Sequence, residues 1–181
     1  MKKLTKYILF AAVLACAACS PKAPVLPVAF DAVAVRPQIY PDYTDVVVPC
    51  NIAPLVFRIV EEGDEFVTRF KAGGKELLLG GSEVAPATGE WRSLLESAAG
   101  GSLSVEVYVG RDGKWKMYEP FSVVVSSDTI DRYISYRLIP PSYVAYEKLT
   151  ISQRDLTSFD ETVIYNNKLV SSEPDGQCIN C

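Results

Sequence analysis

Several stretches of the chain alternate apolar and polar side chains with the period of two that marks a half-buried strand. The clearest runs through Leu103, Val105, Val107 and Val109, with Ser104, Glu106 and Tyr108 on the intervening positions. Leu55, Phe57 and Ile59 give a second strand its apolar face, and Phe66, Thr68 and Phe70 alternate along a third. Glu61-Glu62-Gly63-Asp64 and Gly73-Gly74 read as the turns around that third strand, and Leu77 to Leu79 lies on the next. Arg111-Asp112-Gly113 predicts a hairpin, because Asp-Gly accepts the positive φ angles that tight hairpin turns demand. Its returning strand is expected from about Trp115 to Ser126, and Glu90 to Ala98 predicts a short helix ended by Gly100 and Gly101.

Short strands at this spacing predict an immunoglobulin-like or fibronectin-III-like sandwich over residues 45–127. Downstream, Ile130, Ile134 and Leu138 recur every fourth residue and predict a helix. Asp128 would cap it, with Asp131 in its first turn, and Pro140-Pro141 would stop it. Leu149–Leu156 and Thr162–Tyr165 read as two more strands, and the remainder to Cys181 as a polar tail. The expected fold is therefore mainly β, a sandwich followed by a short helix and a small strand-and-loop tail over 128–181. Such sandwiches host many functions, so the architecture alone predicts none.

The start of the chain has a different character. Lys2, Lys3 and Lys6 precede thirteen almost unbroken apolar or small residues, Tyr7 to Cys19. A charged start, a short apolar run and small residues after it form a secretory signal. Thirteen residues fall short of the roughly 20 that a helix needs to cross a bilayer core. The small residues end in Val13-Leu14-Ala15-Cys16-Ala17-Ala18-Cys19-Ser20, which looks like a bacterial lipobox. Cys19 is the expected lipidated residue, by length and by its Ala-Ala-Cys-Ser context, with Cys16 the alternative. Residues 1–18 are then a lipoprotein signal peptide. Residues 19–44, which contain Pro21, Pro24, Pro27, Pro37 and Pro41, are expected to form a semi-rigid extended tether.

Composition narrows the functional classes. With 49% hydrophobic and 22% charged residues, the chain has the balance of a folded domain. Loss of the signal leaves 15 basic and 22 acidic groups, a formal charge of −7. That charge disfavours nucleic acid as a partner and leaves membrane attachment to the lipid alone. The chain has no histidine, which excludes Ser-His-Asp and Cys-His catalysis and every imidazole metal site. Gly73-Gly74-Lys75-Glu76 is no phosphate loop, since Arg69 stands where its first glycine belongs and no Ser or Thr follows the lysine. Gly81-Ser82-Glu83 lacks the flanking glycines of a nucleophile elbow. Asp155, Asp160 and Glu161 beside Arg154 read as solvated or salt-bridged surface, so no catalytic residue is assigned and no enzyme is expected.

The strongest chemical signal is Cys178-Ile179-Asn180-Cys181, whose spacing suits a haem-attachment half, a zinc half-site, a redox dithiol or a tight disulfide. Cys50 alone does not complete a zinc ribbon, so no metal site is assigned, and it reads as a buried thiol ahead of a core strand. Tyr133, Tyr136, Tyr143, Tyr146 and Tyr165 crowd the far end and read as packing between the sandwich and whatever follows.

Four strings together resemble the N-terminal region of TolB-like β-propeller envelope lipoproteins, loosely described as cytochrome c biosynthesis proteins. They are Asn51-Ile-Ala-Pro-Leu55, Asp128-Thr-Ile-Asp-Arg-Tyr-Ile-Ser-Tyr-Arg-Leu-Ile-Pro-Pro141, Gln153-Arg-Asp-Leu-Thr-Ser-Phe-Asp-Glu161 and Gly176-Gln-Cys-Ile-Asn-Cys181. The resemblance covers about Tyr40 to Cys181. It implies that Cys178 and Cys181 match a Cys-x-x-Cys-His motif that a propeller follows, with the chain as given stopping ahead of that histidine. The expectation is a truncated N-terminal part of such a protein, in the envelope of a Gram-negative bacterium and anchored to its outer membrane. No cofactor is expected of the chain as written; c-type haem enters only with a following histidine. The functional expectation is a non-enzymatic spacer or interaction module with an envelope protein or glycan as partner. The alternatives are a haem-binding electron-transfer protein and a carbohydrate-binding module.

Overall fold

The alternating stretches assemble into two unequal layers in the computed structural model, which describes residues 23–139, 149–166 and 169. The long strand β8 (Gly101–Arg111) is the spine of a seven-stranded sheet. On one side it pairs antiparallel with β5 (Glu65–Ala72), whose far edge carries β6 (Lys75–Gly80). On the other side, β9 (Lys114–Met117) and β10 (Phe121–Ser126) follow one another along the same edge of β8. They are two halves of the returning strand expected over 115–126. Tyr118 to Pro120 divides them, because proline has no N–H to give the ladder. Two short strands complete the sheet in parallel, β1 (Asp31–Ala32) beside β9 and β3 (Val47–Pro49) beside β10. The hairpin turn is the one the sequence predicts, with φ of 51° at Asp112 and 75° at Gly113.

Opposite this sheet lie the small sheet β2 (Ile39–Tyr40), β4 (Phe57–Ile59) and β7 (Glu83–Val84), and the helix α1 (Thr88–Ala98). Leu103, Val105, Val107 and Val109 of β8 turn inward to meet them, none more than 4% exposed. Trp91, Leu94, Leu95 and Ala98 recur at helical spacing and form the buried face of α1. Edge-to-face aromatic contacts tie the layers, Phe57 to Phe70 at 6.4 Å and Phe70 to Trp91 at 6.0 Å. Each fully buried side chain of this size contributes about 1.5–3 kcal/mol relative to exposure, so the shared core holds both layers in place.

Two sequence expectations change. The 19–44 tether is built into the sandwich from Asp31 onward, through β1 and β2, and Pro37 and Ile39 are buried. Its prolines interrupt ladders but leave two-residue runs between them that pair. The helix expected over 128–138 is instead a strand, β11 (Tyr133–Leu138). It forms an antiparallel meander with β12 (Thr150–Asp155) and β13 (Glu161–Asn166). A spacing of four places Ile134 and Leu138 on one face of a strand as well as of a helix. The run Tyr-Ile-Ser-Tyr, rich in aromatic and β-branched side chains, favours the pleated surface. The strands expected over 149–156 and 162–165 are present as β12 and β13.

A compact set of hydrogen bonds joins meander to sandwich. The Asn51 side chain donates to the Ile130 carbonyl at 2.9 Å and accepts from the Ile130 N–H at 3.0 Å. Ala53 N–H donates to the Leu156 carbonyl at 2.8 Å, and Leu156 N–H to that of Arg132 at 2.7 Å. The Trp91 indole N–H holds the same loop from the core side, donating to the Ile52 carbonyl at 3.1 Å.

Candidate functional site

The cysteines singled out by sequence, Cys16, Cys19, Cys178 and Cys181, lie outside the described residues. Cys50 is free and half-buried, its Sγ 3.6 Å from the carbonyls of Ser127 and Asp128. Among the expected tyrosines, Tyr133 and Tyr136 stand on β11 and Tyr165 on β13, and the Arg132 guanidinium lies 5.1 Å from the centroid of the Tyr133 ring. Tyr143 and Tyr146 lie outside the described residues.

The densest polar chemistry is on the outer face of the large sheet. Ladder pairing of β5 with β8 sets Arg69 opposite Glu106 and Val67 opposite Tyr108, and pairing of β5 with β6 sets Lys71 opposite Glu76. Residues opposite one another share a face, so these side chains converge on the side away from the core. Glu106 is only 6% exposed there. It forms an ion pair with Lys71, accepts a hydrogen bond from the Tyr108 hydroxyl at 2.9 Å and lies 3.5 Å from Arg69. Arg69 spends its stronger contact on Glu76, at 2.6 Å. Phe30, from the N-terminal segment, packs edge-on against Tyr108 at 5.3 Å.

Burial is the largest single influence on Glu106 and pushes its carboxyl upward. Lys71, the Tyr108 hydroxyl and Arg69 together outweigh it and hold the group below its ordinary value. Tyr108 is raised in turn, by burial first and then by the Glu106 carboxylate. The carboxylate is thus held ionised by three partners on the sheet's outer face, which suits a structural ion cluster.

A second polar feature lies at the β8–β9 hairpin end, a cleft of about 510 Å³ lined by Asp31, Glu61, Glu62, Arg111, Lys114 and Tyr118 among others. Arg111 pairs with Glu62 at 2.7 Å, and Tyr118 donates to Glu61 at 2.9 Å. Burial and that hydrogen bond push the Tyr118 hydroxyl up to about 12. In the meander, Asp155 is 4% exposed and accepts from the Thr157 hydroxyl and N–H and from Arg132. The Thr157 hydroxyl does most to lower its pKa. The expectation of solvated or salt-bridged surface is thus met in the ion pair, made with Arg132, and not in the exposure, because Asp155 is buried. Among the described residues, no group of three or more Cys, Asp or Glu side chains is placed to hold a metal ion.

Fold and site together define a mainly β protein, a two-layer sandwich with an appended three-stranded meander. No protein-family profile and no curated protein matches the chain. Among solved structures it is similar, at 15% identity and a TM-score of 0.34, to one of a 1.5-MDa bacterial ice-binding adhesin studied for its retention at the host cell surface. The alignment takes in 75% of this chain and 53% of that one, so the chain spans about half of that structure.

Proposed function

We propose that the chain is a lipid-anchored cell-envelope protein whose sandwich serves as a non-enzymatic spacer and interaction module, the N-terminal part of a longer TolB-like protein. The observation that carries the reading is the string Leu14-Ala15-Cys16-Ala17-Ala18-Cys19-Ser20 behind a lysine-flanked apolar run. Several acyl chains on such a cysteine, each methylene worth about 0.8 kcal/mol when buried, hold a protein to a membrane without any basic patch. The described residues support the non-enzymatic part. Glu106 and Asp155, the buried carboxylates, are each committed to cations and hydroxyls within the protein.

The test is fractionation of the protein expressed in a Gram-negative host. Wild type is expected in the membrane pellet, and Cys19→Ser in the soluble fraction, with Cys16→Ser as the comparison. Sedimentation of the double variant with membranes would overturn the reading.

A further inference from the structure

The poles of the sandwich are used by different parts of the chain. Ala23 and Pro24 line a crevice with Asp64, Gly80, Gly81 and Trp115, at the end of the large sheet where β8 finishes and β9 begins. Pro24 Cβ stands 3.4 Å from the position a Cβ on Gly80 would take. The chain therefore enters at the Arg111 pole. It leaves at the other, because β10 runs to Ser126 beside Gly101 and passes directly into the segment that carries Ile130 and Arg132. Between the poles lie the eleven residues of β8, which at about 3.3 Å per step span roughly 33 Å.

The exit is fastened. The Asn51 side-chain amide donates to the Ile130 carbonyl and accepts from its N–H, Ala53 and Arg132 both bond to Leu156, and Trp91 anchors Ile52 between them. An arrangement in which both the linker and the β12–β13 turn are bonded to one core-anchored loop cannot swivel without breaking several hydrogen bonds together.

We propose that the sandwich is a stand-off of fixed length, entered at the Arg111 pole and left at the Gly101 pole, with an Asn51-centred clamp fixing the β11–β13 sheet beyond it. The fixed separation stands by itself. The height above a membrane rests on the lipid-anchor reading: Cys19 is four residues from Ala23, so its Cα is within about 14 Å of the entry pole. A lipid there keeps the Arg111 pole close to the bilayer and, with the sandwich upright on it, sets the meander roughly a sandwich length away.

Pulsed electron paramagnetic resonance on the full lipidated chain in detergent tests the separation. Nitroxides are placed through ketone-bearing noncanonical residues at Lys114 and Thr162, which leaves every native cysteine in place. One narrow distance distribution is expected, centred at about 35–40 Å from the ten steps of β8 and the junction. A broad distribution reaching to short distances would overturn the proposal. Asn51→Ala is expected to broaden it severalfold. Asn51→Asp, which keeps the acceptor and loses the donor to Ile130, is a milder second variant should the first fold poorly. An unchanged width in both would overturn the clamp. On vesicles of phosphatidylethanolamine and phosphatidylglycerol doped with nickel-chelating lipid, the Lys114 label is expected to relax severalfold faster than the Thr162 label. Equal relaxation on floated vesicles would overturn the stand-off. Failure to float would instead overturn the lipid anchor, and the detergent distance would then decide the separation.

Discussion

Removing the Lys71 ammonium tests whether the outer-face ion cluster stabilises the sheet or merely decorates it. Glu106 is 6% exposed, so Lys71→Met leaves a buried carboxylate with only the Tyr108 hydroxyl at 2.9 Å and Arg69 at 3.5 Å, the latter already engaged by Glu76. Two unit charges about 4 Å apart attract by about 4 kcal/mol at the effective dielectric of a protein surface. The Lys71 side chain is 40% exposed, and solvent screening removes a large part of that. The expected cost is about 1–3 kcal/mol, below the 3–5 kcal/mol of a fully buried pair. In Lys71→Met/Glu106→Gln no charge is left stranded, so most of the loss is expected to return.

Urea unfolding followed by the fluorescence of Trp91 and Trp115 measures both variants. Because the Glu106 carboxyl is held below its ordinary value, the stability it contributes is present above a pH of about 4.5 and is lost as pH falls through the lowered value. The gap between wild type and Lys71→Met is therefore expected to be full at neutral pH and to close in acid. A Lys71→Met protein within about 0.5 kcal/mol of wild type, the scale of an ordinary surface change, would refute the reasoning. So would a gap that persists unchanged below the carboxylate range.

The Tyr118 hydroxyl is pushed up to about 12 from an ordinary 10, so its contribution is intact below pH 10 and is lost between pH 10 and 12, by at most about 3 kcal/mol; Tyr118→Phe is expected to flatten that part of the alkaline unfolding curve, and an unaltered curve would contradict the assignment. In the β5–β6 turn, Gly73 has φ of 53° and a Cβ there would lie 2.5 Å from the Ser97 carbonyl oxygen, whereas Gly74 has φ of 79° and open space. Both alanine variants bear the left-handed cost of about 1 kcal/mol, and Gly73→Ala is expected to lose about 1–3 kcal/mol more through overpacking; equal melting temperatures would refute the close approach of α1 to the turn.

Over β8 and its hairpin, local pattern and local turn chemistry agree and the sequence reading matches the structure. β8 and its Asp-Gly hairpin follow from alternation and a turn dipeptide, and α1, expected over Glu90 to Ala98 ahead of Gly100 and Gly101, spans Thr88–Ala98. The errors arise where one pattern fits two structures. Ile130, Ile134 and Leu138 fit a helix and a strand equally, and only the pairing of β11 with β12 decides between them. The prolines of 19–44 suggested a free tether, but pairing needs only short proline-free runs next to an available edge. The edges that accept them belong to β9 and β4, which lie beyond the tether in the sequence.

The Glu106 cluster was illegible for a related reason. Alternation assigns Ser104, Glu106 and Tyr108 to the face opposite the core, where a lone sheet would leave them to solvent. Their burial depends on two non-local facts, the register that sets Arg69 opposite Glu106 and the N-terminal segment that lays Phe30 against Tyr108. The local pattern carries no signal of that covering, because a strand buried on both faces reads as a near-continuous apolar run and β8 alternates. The same reasoning joins cluster and stand-off. Phe30 and Pro24 hold the N-terminal segment against the sheet at its entry pole, as Asn51 and Trp91 hold the exit. A sandwich fastened to its flanking chain at both ends transmits position from one end to the other, and a purely flexible tether would not.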